Sequence, residues 1–375
     1  MTRRPVLLVF GTRPEAIKLA PVIAALNASP TLTPRVCVTG QHREMLDQML
    51  ALFGVVPDHD LAIMQPDQEL FDITARVLLR LRAVLDAEHP AAMVVQADTT
   101  TAVTAALAAF YRRIPVGHVE AGLRTEQRYD PFPEEMNRRL TTRLTTWHYA
   151  PTPRAVANLR SEGVPAEQIV MTGNTIVNAL HGIVTRLDSG AAAGPPVLAP
   201  DVLAGRQLIL VIAHRRQRFG EGLRSICLAL RDLAERHPDV VIVYPVHLNP
   251  SVQRPVHDLL DGRPNIFLTA PLDYLPFVEL MRRAHLILTD SGGLQEEAPS
   301  LGVPVLVMRE TSERREAIEA GTAQLAGTRR DTIVAAATRL LTDPAAHAAM
   351  RTARNPFGDG AAAPRIAAHL EQALT

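Results

Sequence analysis

Three features of the sequence predict an α/β fold with two Rossmann-like domains. Each domain is expected to contain a parallel sheet, and the two domains are expected to face each other across a cleft. The chain has 375 residues, which is about two to three times the usual length of one domain. Short apolar runs alternate with longer helical patterns, an arrangement typical of βαβ units. One stretch, 188–200, is rich in Ala, Gly and Pro and interrupts that alternation. We therefore predict domains at 1–187 and 201–360, with 188–200 as the linker.

The elements of the first half follow from periodicity. Continuous apolar runs predict buried strands at Val6–Phe10, Val36–Thr39, Ala92–Gln96, Val116–Val119 and His148–Ala150. Apolar residues at helical spacing predict helices at Pro14–Asn27, Asp72–Glu88 and Thr99–Tyr111. Because strands and helices alternate, the strands should pair in parallel.

The same pattern restarts after the linker. Strands are predicted at Leu208–Ala213, Val240–Tyr244, Ile266–Thr269, Leu286–Thr289 and Val303–Met308. The final helix, 361–375, has no strand after it, so it could pack on either domain, including back on the first.

Composition excludes several classes of protein. Lys+Arg and Asp+Glu both total 39, and this balance argues against binding to nucleic acid or to an anionic membrane, both of which favour a positive excess. No apolar run is long enough to span a membrane, and the chain starts with a strand pattern instead of a signal peptide. The two cysteines, Cys37 and Cys227, lie in apolar stretches and show no metal-ligand spacing. We expect a cytoplasmic protein without a metal.

Lysine usage is unusual. Lys18 is the one lysine among 39 basic residues, as expected if a coding bias replaces Lys by Arg wherever either serves. Survival of a single lysine suggests a site that needs a compact ammonium group, although chance survival at the surface is the alternative.

Ligands of open parallel sheets bind beyond the carboxyl ends of strands. After the first strand, Gly11 allows a tight turn, and Arg13 and Lys18 add positive charge to a helix N-terminus. This combination indicates an anion site suited to a diphosphate, although an ordinary βα turn is the alternative. The G-x-G-x-x-G pattern of nicotinamide cofactor sites is absent there.

Carboxylates follow the central strands of the first half. Asp98 comes after Ala92–Gln96 and serves either as a helix cap or as an acid or base. Glu120 ends the next strand, and Glu134 opens a helix. If the three side chains converge, their mutual repulsion separates their pKa values and provides acid/base pairs.

The second half has its own anion-binding candidates. His214 and three arginines follow its first strand. Ser291, Gly292 and Gly293 follow a later strand and leave backbone N–H groups accessible to a diphosphate, while Glu297 could accept the hydroxyls of a ribose. The residues alone thus indicate a two-domain enzyme that acts on a nucleotide-diphosphate compound.

Long blocks make the chain resemble the non-hydrolysing UDP-N-acetylglucosamine 2-epimerases, from about residue 6 to residue 360. The blocks are 10–18 (FGTRPEAIK), 41–48 (QHREMLDQ), 115–125 (PVGHVEAGLRT), 172–174 (TGN), 244–250 (YPVHLNP) and 288–300 (LTDSGGLQEEAPS). The resemblance implies a glycosyltransferase-B-like fold and a cofactor-independent, reversible conversion of UDP-GlcNAc into UDP-ManNAc. In that reaction UDP is eliminated to give 2-acetamidoglucal and is then added back.

The resemblance also implies roles for individual residues. Acid/base roles fall on Asp98, Glu120 and Glu134, and His214 is a further catalytic residue that also holds UDP. The remaining UDP-binding positions are Arg13, Lys18, Phe277, Ser291, Gly292, Gly293, Glu297 and Arg314. Phe277 is expected near the uracil, and a homodimer is expected.

Some members of that family bind a second UDP-GlcNAc as an activator. The positions that match this candidate allosteric site are Gln41, Arg215 and His247. Asp67 and Glu44 stand where those members have Arg and Gln, so added negative charge should weaken activator binding here. A glycosyltransferase, a hydrolysing epimerase and a nucleotide-sugar-binding regulator remain the alternative functions.

Overall fold

The chain divides into two compact units. The computed structural model describes residues 3–40, 43–65, 68–191, 197–213 and 221–375. Unit 1 comprises Met1–Ala179 with Phe357–Thr375, and unit 2 comprises Leu180–Pro356. Each unit contains one sheet in which every paired strand is parallel to its neighbour. The predicted α/β class with parallel sheets is confirmed. The exact domain limits stay predictions.

Unit 1 has a seven-stranded sheet. In chain order, its strands are β1 (Arg4–Phe10), β2 (Leu32–Val38), β3 (His59–Asp60), β4 (Ala92–Gln96), β5 (Val116–Val119), β6 (Trp147–Ala150) and β7 (Ile169–Met171). Their spatial order is β3-β2-β1-β4-β5-β6-β7. This is the Rossmann order extended by one strand, and the chain reverses direction across the sheet between β1 and β4.

Seven helices connect these strands or follow them. They are α1 (Arg13–Asn27), α2 (Arg43–Phe53), α3 (Leu70–Glu88), α4 (Thr100–Tyr111), α5 (Glu134–Leu144), α6 (Pro153–Ser161) and α7 (Thr175–Asp188). The division between the units falls within α7.

The centre of the unit 1 sheet is covered on both faces. All residues of 6–10 and of β4 are buried, as expected for parallel strands between two layers of helices. Helix α4 presents fully buried Ala102, Ala105, Ala106 and Ala109, so its backbone packs closely on the sheet. This packing fixes the carboxyl ends of β1, β4 and β5 beside one another.

Unit 2 repeats the architecture with six strands. They are β8 (Gln207–Ile212), β9 (Val240–Pro245), β10 (Ile266–Thr269), β11 (Leu286–Thr289), β12 (Val305–Val307) and β13 (Ala323–Leu325), in the spatial order β10-β9-β8-β11-β12-β13. Its helices are α8 (Glu221–Arg236), α9 (Pro250–Leu260), α10 (Tyr274–Arg283), α11 (Leu294–Glu297), α12 (Arg315–Glu319), α13 (Arg330–Thr342) and α14 (Pro344–Arg351). Strand order again follows the Rossmann pattern.

The last helix, α15 (Ala362–Leu374), belongs to unit 1 and packs on α1. Glu371 accepts a hydrogen bond from the Ser29 hydroxyl, and the His369 ring lies edge-on to Tyr149 at 5.5 Å. Of the helices that the structure describes, none is both long enough and apolar enough to cross a membrane.

Candidate active site

The turn after β1 is organised by a buried carboxylate. Thr12 caps α1, and Glu15 accepts hydrogen bonds from the backbone N–H groups of Gly11 at 3.0 Å and Thr12 at 2.8 Å. The Thr99 hydroxyl, at the start of α4, donates to the same carboxylate at 2.7 Å. Burial raises the pKa of Glu15, while these hydrogen bonds oppose the rise. Glu15 thus ties the β1–α1 turn to the turn after β4. The sequence-based assignment did not single it out.

The two cations of this turn have different surroundings. The Arg13 guanidinium is half-buried and forms no ion pair with any residue that the structure describes. The Lys18 ammonium lies 2.5 Å from Oε2 of Glu120, with 13% of its side chain exposed. The one lysine of the chain is therefore largely buried and contacts a candidate catalytic carboxylate.

Asp98 is an ion-pair partner and not a helix cap. The cap of α4 is Thr99, whose side chain accepts the N–H of Ala102 at 3.0 Å. The Asp98 carboxylate instead lies 2.5 Å from Nη2 of Arg138, and its backbone carbonyl accepts a hydrogen bond from Asn137 at 2.8 Å. Both partners belong to α5, so this helix holds Asp98 from two directions.

Glu120 follows β5 in an uncommon backbone conformation. Its φ is +65°, in the left-handed region that non-glycine residues rarely adopt, and the residue is buried. Gln96, at the end of β4, donates a side-chain hydrogen bond to the same carboxylate oxygen that Lys18 contacts. A strained residue held by its neighbours is a common feature of functional sites.

The two glutamates at the start of α5 have separate roles. Glu135 is fully buried and accepts the N–H of Thr125 at 3.0 Å, and its carboxylate pairs with Arg138 and Arg139 at 3.2 and 3.0 Å. Burial opposes ionisation of Glu135, but the Thr125 N–H and the two arginines outweigh it and lower its pKa. Oε2 of Glu134, in contrast, is buried without a hydrogen-bond partner in the described part of the chain. Such an atom is suited to contact a ligand.

The three predicted carboxylates therefore lie in one region of unit 1. Asp98 and Glu120 follow the neighbouring strands β4 and β5. Helix α5 begins at Glu134, one turn before the Arg138 side chain that reaches Asp98. Gln96 and Arg138, which sequence reasoning missed, connect these carboxylates to the fold.

In unit 2, the turn after β11 offers backbone donors. The N–H groups of Gly292 and Gly293 donate to no acceptor among the described residues. A Cβ atom on Gly292 would lie 2.8 Å from the Glu313 carboxylate, so the Glu313 side chain would have to shift to admit one. Ser291 is partly exposed beside them, and its carbonyl accepts a hydrogen bond from Gln295 at 3.1 Å.

The other predicted nucleotide-binding residues of unit 2 lie around this turn or on α10. Arg314 pairs with the buried Glu296 at 2.5 Å. Glu297 accepts the Tyr274 hydroxyl at 3.1 Å, and Phe277, one turn further along α10, is half-buried. Of the predicted residues, Ser291, Gly292, Gly293 and Glu297 are brought together by one short segment of chain.

Some predicted positions lie outside the described residues. These are His214, Arg215, Gln41 and Asp67. His247, the remaining candidate of the allosteric site, is exposed after β9, and its Nδ1 accepts the N–H of Asn249 at 3.1 Å. In the ranges that the structure covers, no group of three or more His, Cys, Asp or Glu side chains could hold a metal ion.

Comparison with known proteins identifies the family. The family model described as UDP-N-acetylglucosamine 2-epimerase matches residues 24–371. The chain belongs to this family. It is 53% identical over 367 residues to the UDP-N-acetylglucosamine 2-epimerase of Escherichia coli K12, covering 96% of each chain. Its identity to a probable UDP-N-acetylglucosamine 2-epimerase of Ralstonia solanacearum is 54% over 365 residues, with 97% of each chain covered.

Solved structures of the epimerase family have the same fold. The Neisseria meningitidis UDP-GlcNAc 2-epimerase bound to UDP-GlcNAc has a TM-score of 0.90 at 47% identity, covering 98% of this chain and 100% of that one. The Methanocaldococcus jannaschii UDP-GlcNAc 2-epimerase, in complex with UDP-GlcNAc and UDP, has a TM-score of 0.79 at 31% identity, covering 98% and 99%.

The fold of the epimerase extends to more distant enzymes. The glycotransferase of kitacinnamycin has a TM-score of 0.68 at 14% identity, and it shows likeness of fold alone. The predicted family, a glycosyltransferase-B-like fold and an isomerase of the epimerase class are confirmed.

Proposed function

We propose that this epimerase interconverts UDP-GlcNAc and UDP-ManNAc without net hydrolysis, using Asp98, Glu120 and Glu134 as its acid/base groups. The observation that supports the proposal is the position of Asp98 and Glu120 after the neighbouring strands β4 and β5, with Lys18 paired to Glu120 and with α5, which begins at Glu134, paired to Asp98 through Arg138. Inversion at C2 needs a base on one face of the sugar and an acid on the other, and paired carboxylates provide both.

The proposed reaction has two steps, elimination of UDP and its addition back. A carboxylate takes the C2 proton, the C1–C2 double bond forms, and the C1–O bond breaks with its electron pair leaving on UDP. In the second step, the diphosphate oxygen of UDP attacks C1 of 2-acetamidoglucal, and C2 receives a proton on the opposite face. The C2 proton is weakly acidic, so stabilising the departing diphosphate lowers the barrier.

Cationic and backbone groups serve the departing UDP. The Arg13 guanidinium, which has no ion pair among the described residues, is available to the diphosphate. In unit 2, the N–H groups of Gly292 and Gly293 suit phosphate oxygens, and Glu297, oriented by the Tyr274 hydroxyl, suits two ribose hydroxyls. Ser291, Arg314 and Phe277 complete the proposed UDP contacts, and His214 adds a further catalytic group.

The Glu134 carboxylate fits an acid/base role for a specific reason. Its buried Oε2 lacks a protein partner in the described residues, and a buried polar atom left unsatisfied by the protein is expected to find one in a ligand. Lys18 contacts Glu120, and Arg138 contacts Asp98. Each of these two carboxylates is thus held in place before substrate arrives, which removes reorganisation from the chemical step.

The proposal also covers the oligomeric state of the protein and its cellular compartment. We propose a homodimer, supported by large apolar side chains on the surface of unit 1, including Phe71, 84% exposed, and Leu79, 63% exposed. The buried cysteines Cys37 and Cys227, which form no disulfide, fit a reducing, cytoplasmic compartment. Light scattering at several protein concentrations tests the dimer.

The proposal also concerns activation of the enzyme by a second nucleotide sugar. We propose that UDP-ManNAc is turned over with little added UDP-GlcNAc, because Glu44 and Asp67 place acidic residues where activated relatives have Gln and Arg. Gln41, Arg215 and His247 would form what remains of an activator site. An absolute requirement for UDP-GlcNAc in the reverse reaction would contradict this.

Proton NMR of the protein with UDP-GlcNAc in D2O tests the reaction itself. We expect UDP-ManNAc that carries deuterium at C2, and no deuterium in samples of the Asp98→Asn variant. Free ManNAc with UDP would mean that water captures the intermediate and that the enzyme hydrolyses its substrate. UDP-ManNAc that forms in D2O but keeps its C2 proton would contradict proton exchange at this carbon.

A further inference from the structure

A buried histidine contacts the turn that presents Asp98. His118 lies on β5, two residues before Glu120, and is 1% exposed. Its Nε2 lies 2.7 Å from the carbonyl oxygen of Ala97. Because a carbonyl oxygen can only accept, Nε2 must carry the proton. Burial lowers the pKa of His118 to about 4, so at neutral pH the ring is neutral and Nε2–H is a permanent donor.

The accepting residue, Ala97, is in a conformation that needs support. Its φ is +55°, in the left-handed region where a Cβ atom is unfavourable. Its N–H donates to the carbonyl of Val119 at 3.0 Å. Both polar groups of Ala97 are thus held by residues of β5, and strained residues persist where the surroundings fix them from more than one side.

Ala97 sets the direction in which Asp98 leaves the sheet. Beyond it, the Asp98 carbonyl is held by Asn137 and the carboxylate by Arg138, both from α5. The peptide between residues 97 and 98 is the one whose carbonyl His118 holds. Loss of that hydrogen bond would allow the peptide to rotate towards an unstrained conformation, and the Asp98 side chain would move with it.

We propose that His118 is a positioning residue that holds the Ala97 carbonyl and thereby aims the Asp98 carboxylate at C2 of the sugar. This proposal rests on the acid/base role of Asp98 in the proposed function. His118 itself takes no part in proton transfer.

The neighbouring strand supplies a matched control. His148 on β6 is the register partner of His118, is also 1% exposed, and likewise has an Nδ1 without a partner in the described residues. It makes no hydrogen bond to Ala97. Substituting His148 removes an equally buried imidazole from the same sheet and leaves the support of Asp98 intact.

The experiment compares His118→Gln, His118→Asn, His148→Asn and Asp98→Asn. The Gln amide nitrogen is as many bonds from Cα as Nε2 of histidine, so this variant keeps the donor, whereas the Asn amide is too short. We measure kcat and KM from deuterium incorporation at C2 of UDP-GlcNAc in D2O, together with thermal unfolding of each variant. If His118→Asn does not fold, His118→Leu replaces it and removes the donor without burying a new polar group.

We expect His118→Asn to lower kcat by roughly 10- to 100-fold, the cost of a small misplacement of a catalytic group, with KM changed less than about threefold. His118→Gln should retain most of kcat, and His148→Asn should retain kcat even if it melts earlier. A wild-type kcat for His118→Asn, equal losses in His118→Asn and His148→Asn, or equal losses in the Gln and Asn variants would each overturn the proposal. Full activity of Asp98→Asn would instead refute the role of Asp98 in the proposed function.

Discussion

The ammonium of Lys18 and the carboxylate of Glu120 are 102 positions apart in the sequence and form an ion pair of 2.5 Å. Lysine is otherwise absent from the chain. The ion pair thus involves the one basic position that is not arginine. An ammonium group fits a small, nearly enclosed space that a planar guanidinium cannot enter in the same orientation.

Lys18→Arg should therefore lower kcat by at least about tenfold although the charge is kept, because the larger group displaces Glu120. The matched control is Arg112→Lys, at an exposed pair with Asp86 of 2.7 Å, which should leave the rate unchanged. Steady-state rates of both variants decide the matter. Equal activity of Lys18→Arg and wild type would show that charge alone matters at this position.

Glu134→Gln should lower the catalytic rate, whereas Glu135→Gln should lower the stability of the fold. Glu134→Gln is expected to lower kcat by about 100-fold or more, with little change in melting temperature, because Oε2 has no described protein partner to lose. Glu135→Gln removes the charge that pairs with Arg138 and Arg139 and should cost about 2–4 kcal/mol of unfolding free energy. Kinetics and urea unfolding of both variants test this contrast, and a wild-type rate for Glu134→Gln would remove it from the mechanism.

Tyr274→Phe should weaken nucleotide binding. The lost hydroxyl donates a 3.1 Å hydrogen bond to Glu297, and a carboxylate that is less firmly oriented binds two ribose hydroxyls less well. We expect the dissociation constant of UDP to rise roughly 3- to 10-fold, the equivalent of one ordinary hydrogen bond. Calorimetry with UDP measures the change, with Tyr111→Phe, at an exposed tyrosine of unit 1, as the control. An unchanged constant would place the ribose elsewhere.

Acid should destabilise the fold partly through His148. Burial lowers the pKa of this residue to about 3 from an ordinary 6.5, so the unfolded chain binds a proton below pH 6.5 while the folded chain does not. The full contribution of the neutral ring to the free energy of unfolding is present above pH 6.5. This contribution is lost as the pH falls from 6.5 towards about 3. Between pH 7 and pH 4.5, wild type should lose about 2 kcal/mol more than His148→Gln.

Urea unfolding at the two pH values measures that difference, and a Gln substitution of the exposed His257 serves as the control. An identical pH dependence in wild type and His148→Gln would mean that the ring is protonated in the folded state.

Gly122→Ala should be far more disruptive than Gly163→Ala. Both glycines have positive φ, +90° and +81°. A Cβ on Gly122 would lie 2.4 Å from the Ala155 carbonyl, whereas no atom of the described residues lies within 4 Å of one on Gly163. Gly163→Ala should cost about 1 kcal/mol for the backbone alone. The Gly122 variant should cost at least about 2 kcal/mol more because α6 must shift. Thermal unfolding compares the two, and equal losses would contradict the steric argument.

The interior of both sheets could be predicted from the sequence, and their edges mostly could not. Predicted and observed limits coincide for the inner strands β4, β5 and β11, because buried parallel strands are continuous apolar runs, and they also coincide for the edge strand β10. The missed strands β3, β7 and β13 have two or three residues each and lie at sheet edges. An edge strand pairs on one side only, so a short segment without an apolar pattern is sufficient.

At the candidate site, the carboxylates that follow the strand ends could be predicted from the sequence. The residues that contact these carboxylates could not. Asp98 and Glu120 stood out because strand ends are where ligands bind. Arg138 reaches Asp98 across 40 positions, and Thr99 reaches Glu15 across 84. Such contacts depend on the packing of helices on the sheet, and no local pattern encodes them.

The return of the last helix to unit 1 has a consequence for synthesis. The ribosome makes residues 1–179 first, yet α15, which buries Ile366 and Leu370, is made only after the whole of unit 2. Domains generally fold as units in the order of translation. Unit 1 therefore cannot complete its fold until α15 has been made, and its surface for α15 stays uncovered while unit 2 is synthesised. During that interval a chaperone has its clearest opportunity to bind, and removal of residues 362–374 would destabilise the unit that was made first.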